Sequence, residues 1–221
     1  MTSNTRSNVR HTVVILLCIM VVFVGAMVSR ILRTPDAGVP QVAPDRAELQ
    51  ELGVFIHPVP RLLQPVEVIN EQGQPFTTTD FIGRWNLIFL GYTHCPDICP
   101  TTLALFKQLR AGWQTGELAR IRYVLLSADP ERDTPQRLRD YLAFFHPDFV
   151  GLTGRVEDVD QLAKQLSSLF AKVPQADGDY LVDHSANIMI INPAGQYVGF
   201  IRPPHTVKQI KRAMEMLAAA N

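Results

Sequence analysis

The chain has 221 residues, and its 21 Lys+Arg are balanced by 21 Asp+Glu. That length accommodates one well-cored domain and a tail, and the charge balance leaves no whole-chain field to attract nucleic acid or a generic acidic partner. Three cysteines, Cys18, Cys95 and Cys99, are too few for a disulfide framework but sufficient for one redox or metal site.

Residues 1–11 read as a short N-terminal arm. Residues 12–29, TVVILLCIMVVFVGAMVS, contain neither charge nor proline. As a helix, eighteen such residues reach about 27 Å, close to the ~30 Å hydrocarbon core of a bilayer, and they are expected to form a transmembrane anchor. Cys18 lies inside this run and reads as a small hydrophobe. Arg6 and Arg10 precede the run while Arg30 and Arg33 follow it, so charge does not orient it. No small-x-small cleavage pattern closes the run, which favours an uncleaved anchor over a signal peptide. Residues 30–50 then read as a Pro-rich linker. Its TPDAGVPQVAPDRAELQ stretch has three prolines and scattered charge, and is expected to be semi-extended and unpacked. The folded domain is expected over 51–221.

VEVINEQGQPF (66–76) alternates apolar residues about an Asn-Glu-Gln-Gly turn and predicts a hairpin. WNLIFLG (85–91) is a continuous apolar run suited to a strand buried on both faces. After the cysteines, Leu103, Phe106 and Leu109 recur at helical spacing. IRYVLLS (121–127) is a second buried strand, and strand–helix–strand order implies a parallel pair with a right-handed crossover. Asp133 and Gln136 are placed as N-cap and capping-box partner of a helix through LRDYLAFF. Residues 156–170 predict an amphipathic helix with Val159, Leu162, Leu166 and Leu169/Phe170 on one face. ANIMII and QYVGFI flank Asn192-Pro-Ala-Gly195 as an antiparallel hairpin, and Thr206 with Gln209 caps a final helix. This order is that of an α/β fold, a thioredoxin-like sandwich: a central mixed sheet flanked by helices, with an N-terminal hairpin extension. The cysteines fall between the first central strand and its helix.

In HCPDICP (94–100), Cys95 and Cys99 lie four positions apart, each followed by proline. Ligands bind at the carboxyl ends of strands in open α/β sheets, and a helix N-terminus there favours thiolate over thiol. Pro100 is hard to place inside a helix begun at Pro96, so Cys95–Cys99 is expected to be an irregular loop with Pro100 opening the regular helix. That spacing permits either a disulfide or a metal site. A metal needs a further ligand. His11 and His57 read as surface residues, and His146 and His205 as solvated loop residues. His94 points opposite its neighbour Cys95 in extended chain. His184 precedes the ANIMII strand, a segment that faces the cysteine loop in a thioredoxin-like fold. Two thiolates and one imidazole favour Cu(I), with Cu(II) or Zn(II) as alternatives.

Three separated stretches carry a resemblance. GYTHCPDICPTTL (91–103), SADPERDTPQRLRDYLAFFHPDFVGLTG (127–154) and DYLVDHSANIMIINPAGQ (179–196) closely resemble the Sco/SenC family, over about 60–221. The resemblance implies a membrane-tethered copper chaperone, not an enzyme, that delivers copper to the dinuclear site of cytochrome c oxidase subunit II. It further implies metal ligation by Cys95, Cys99 and His184, with a periplasmic or mitochondrial intermembrane-space location. Asp129, Pro130, Arg132, Asp133 and Pro135 match the family's DPxRDxP segment, assigned to shaping or partner contact. The alternative function is a thiol–disulfide oxidoreductase that keeps the oxidase's copper-site cysteines reduced, with Cys95 and Cys99 catalytic. The upstream copper donor is unspecified, and a homodimer stays open.

Overall fold

The computed structural model describes residues 16–25, 27, 44–176 and 178–220. The chain divides into two compact units, 1–42 and 43–221. In the first, residues 16–25 are helical with exposed, wholly apolar side chains. Among the described residues no helix is long and apolar enough to cross a membrane. The expected span 12–29 includes residues outside the described ones.

The second unit starts before its expected boundary. Arg46–Glu51 forms a short helix, α1, capped by Asp45, whose carboxylate accepts from the Ala47 and Glu48 amides. Leu49 is fully buried. The linker expectation to residue 50 therefore fails at its C-terminal end, because one apolar side chain and a good N-cap suffice to dock a turn of helix.

Ten strands follow. They are β1 (Val54–Leu62), β2 (Glu67–Asn70), β3 (Pro75–Thr77), β4 (Asn86–Gly91) and β5 (Arg122–Ser127), then β6 (Val150–Thr153), β7 (Phe170–Pro174), β8 (Tyr180–His184), β9 (Ile188–Ile191) and β10 (Gln196–Ile201). Eight form one mixed sheet in the order β1-β10-β9-β4-β5-β6-β2-β3, while β7 and β8 form a separate hairpin. β4, β5 and β6 run parallel, and β9 lies antiparallel to β4. Central placement follows from composition: β4 and β9 are buried throughout, as NLIFLG and IMII demand. The remaining helices are α2 (Ile98–Gly112), α3 (Pro135–Ala143), α4 (Val156–Gln165) and α5 (Val207–Ala219). α2 and α5 pack on each other, and α3 packs on β6. At that last contact a Cβ on Gly151 would come within 3.0 Å of Leu138 and Leu142. The expected hairpins at 66–76 and 186–201, the parallel pair, and the Thr206 cap are all present.

Three local expectations change. Thr134, not Asp133, caps α3, because Pro135 occupies the first helical position and holds Thr134 in the extended conformation an N-cap needs. Asp133 turns inward instead. α4 ends at Gln165 and not near 170, because Ser167 takes a left-handed conformation (φ 56°) and Phe170 is drawn into pairing with His184. β1, β6 and the β7–β8 hairpin lack clear alternation and are additions to the sequence-derived layout.

Candidate metal centre

β4 ends at Gly91, beside β5, and the chain then turns through Tyr92–Asp97 into α2. α2 begins at Ile98, two residues before the expected Pro100. The proline is tolerated there because amides of a first helical turn have no intrahelical acceptor to lose. Cys99 thus sits in the first turn, fully buried, while Cys95 remains half-exposed in the loop. The Cys95 amide donates to the Tyr92 carbonyl at 3.2 Å. Gly91 is required by close packing: a Cβ there would lie 2.8 Å from Cys99 Sγ and 2.9 Å from the Phe89 ring.

His184 closes β8 and reaches the cysteines from the other side. Its Nε2 lies 3.5 Å from Cys99 Sγ, and Nδ1 lies 3.3 Å from the Ser185 carbonyl. A proton on Nδ1, facing the Ser185 carbonyl, would leave the Nε2 lone pair for a metal, whereas in the metal-free protein a proton on Nε2 serves the cysteine thiolate. Phe89 and Tyr92 present their rings edge-on to the imidazole, with centroids 5.7 and 5.9 Å away. The Tyr92 hydroxyl also accepts from the Val182 amide at 3.2 Å, tying β8 to the cysteine loop.

The donor atoms of Cys95, Cys99 and His184 all lie within 4.8 Å of one another. Both thiols are free. They are not equivalent. A hydrogen bond from Cys99, with help from His184 and local backbone amides, lowers Cys95 to about 4 despite partial burial. Cys99 moves up, because its proton serves Cys95 and its surroundings are apolar. The free pair is therefore one partly buried thiolate and one fully buried thiol. Two sulfurs and an imidazole nitrogen in one small group fit a soft, low-coordinate ion, Cu(I) foremost.

The other described histidines lie elsewhere. His94 is exposed, with Nδ1 3.2 Å from the Thr93 hydroxyl, and is not part of the donor group. The expectation of surface and solvated residues fails for His57, His146 and His205, all partly buried, with His146 stacked on Phe149 and accepting from the Asp148 amide, while His11 lies outside the described residues. His57 packs edge-on to Tyr197 with its Nε2 enclosed, and burial and Arg61 lower its pKa. His205 is partly buried and contacts the Ile201 carbonyl at 3.2 Å. Gly91, Phe89 and Tyr92 escaped sequence reasoning, though a glycine ending a wholly apolar strand is a usable sign of close approach.

The SCO1/SenC family profile matches residues 57–219. A Stutzerimonas stutzeri protein with a provisional copper-binding name is 37% identical over 179 residues, covering 80% of this chain and 88% of that one. The human mitochondrial SCO1 homologue is 35% identical over 167 residues, covering 74% of this chain and 56% of the relative. The chain thus spans just over half the length of that relative. Among solved structures, copper-bound ScoI of Arabidopsis thaliana aligns with a TM-score of 0.63 and 32% identity, covering 71% of this chain and 98% of that one. Copper-bound yeast Sco1 aligns with a TM-score of 0.65 and 30% identity, covering 72% and 90%.

Proposed function

Because the chain belongs to the SCO1/SenC family, we propose that it is a copper metallochaperone whose cargo is held by Cys95, Cys99 and His184. The observation that carries this reading is the convergence of two sulfurs and an imidazole nitrogen from two separate segments, with Cys99 buried and Cys95 and His184 partly exposed. Structures of similar fold and sequence that are described as copper-bound support it. A low-coordinate site also suits transfer, since an incoming thiolate can add before a resident ligand leaves. The recipient is the dinuclear copper site of cytochrome c oxidase subunit II. Residues 12–29 anchor the protein in the inner membrane, with the folded unit in the periplasm or the intermembrane space.

A second reading rests on the inequivalence of the thiols. A Cys95 thiolate can attack a partner disulfide, releasing one partner thiolate, and Cys99, once deprotonated, can resolve the mixed disulfide. Two electrons then reside in the partner's dithiol, and this chain carries the disulfide. Oxidase assembly in cells lacking the native protein separates the readings. The chaperone account expects failure with Cys95→Ala, Cys99→Ala and His184→Ala alike. Full assembly with His184→Ala and none with the cysteine variants would establish the reductase instead.

A further inference from the structure

The β7–β8 hairpin that carries His184 is not part of the main sheet. Something else must set the distance between the imidazole and the cysteines. The turn after β5 contacts both. On one side, Asp133 accepts from the Thr93 amide (3.2 Å) and hydroxyl (2.6 Å) and from the Ser127 hydroxyl (2.8 Å), which pins the root of the cysteine loop. On the other, the Arg132 guanidinium lies 3.7 Å over the Tyr180 ring, and donates to the Tyr180 carbonyl and Asp179 carboxylate at 3.0 Å each. The Tyr180 hydroxyl donates to Asp129 at 2.9 Å, and Asp129 also pairs with Arg132. Lys172 of β7 pairs with Glu131. Asp129 and Asp133 are fully buried, so the bonds to their carboxylates are shielded from water, while the Arg132–Asp179 and Lys172–Glu131 pairs lie at the surface.

From this geometry we infer that the Asp129–Asp133 turn is a spacer: Asp133 fixes the cysteine loop, Arg132 and Asp129 fix the hairpin, and together they hold His184 within reach of the thiols. Arg132 and Tyr180 are positioning residues that touch no ligand atom. The inference rests on the copper reading for its consequence, but its mechanical part stands on the metal-free protein.

The test uses Tyr180→Phe and Arg132→Gln in wild-type and His184→Ala backgrounds. In metal-free protein, amide exchange across 170–174 and 180–184 rises about tenfold or more on loss of a charge-assisted bond, while exchange in β4 and β5 stays unchanged. With copper, the dissociation constant rises by a similar factor and the nitrogen coupling in the Cu(II) spectrum weakens. Neither substitution adds to the loss already caused by His184→Ala, because both act through that ligand. If Arg132→Gln fails to fold, Tyr180→Phe, which deletes a single hydroxyl, carries the test. Unchanged hairpin exchange, or copper losses that add to those of His184→Ala, would overturn the spacer. A wild-type protein that binds no copper would overturn the chaperone reading, and hairpin exchange alone would then decide the spacer.

Discussion

One proton separates the two site cysteines. Cys95 is held as a thiolate by the hydrogen that Cys99 donates, and Cys99 keeps that proton because it is engaged with Cys95 and its surroundings are apolar. Binding a metal through both sulfurs must expel it. At pH 7, copper(I) loading is expected to release about one proton per ion, where two ordinary thiols would release about two. Titration calorimetry in buffers of differing ionisation enthalpy counts those protons, and a value near two would contradict the assignment. In the copper-free protein the sign is equally definite. A lowered pKa keeps Cys95 ionised below the ordinary thiol range, so its alkylation rate stays level from pH 8 to about pH 5 and falls as the pH drops through about 4. A rate that collapses below pH 8 would show an ordinary thiol. None of this inequivalence was legible in HCPDICP, because it depends on which cysteine the fold buries.

At the scale of elements, the strongly patterned segments were legible and the tertiary ones were not. β4, β5, β9 and β10 appear where apolar runs and turn residues put them. The β7–β8 hairpin was hidden because its strands are mostly exposed and carry no alternating buried face, the pattern that marks a half-buried strand. Asp133 looked like a cap because it precedes a helix, yet Pro135 moved the cap to Thr134 and released the carboxylate to hold Thr93. The backbone at Gly91 is equally site-specific. Gly91→Ala is expected to cost about 1–3 kcal/mol of stability through overpacking and to push Cys99 Sγ away from His184, so copper affinity falls while the secondary structure persists. Denaturant unfolding and copper titration of the variant check both parts, and an unaffected copper affinity would show that the contact is slack. α1 provides a separate test away from the site. Leu49→Ala removes a fully buried side chain and is expected to destabilise the folded unit by about 2–5 kcal/mol. A loss under about 0.5 kcal/mol, the range of neutral surface changes, would restore residues 46–50 to the linker.

At the scale of the whole molecule, function depends on joining distant parts of the chain. Cys99 and His184 are 85 positions apart and meet only because β4 and β9 are sheet neighbours and the hairpin folds back over the cysteine loop. Motif spacing alone left disulfide and metal equally open, and the fold position of His184 favoured metal. The structure adds what the sequence lacked: the edge-on aromatic rings, the Ser185 carbonyl beside the imidazole, and the turn that ties both halves together. The most direct test of a three-donor copper site is anaerobic copper titration of the folded unit beside its three single-ligand variants. The account predicts about one tightly bound copper per wild-type chain, no tight binding in Cys95→Ala or Cys99→Ala, and weaker binding without imidazole coupling in His184→Ala. A His184→Ala protein with wild-type affinity and spectrum would contradict it.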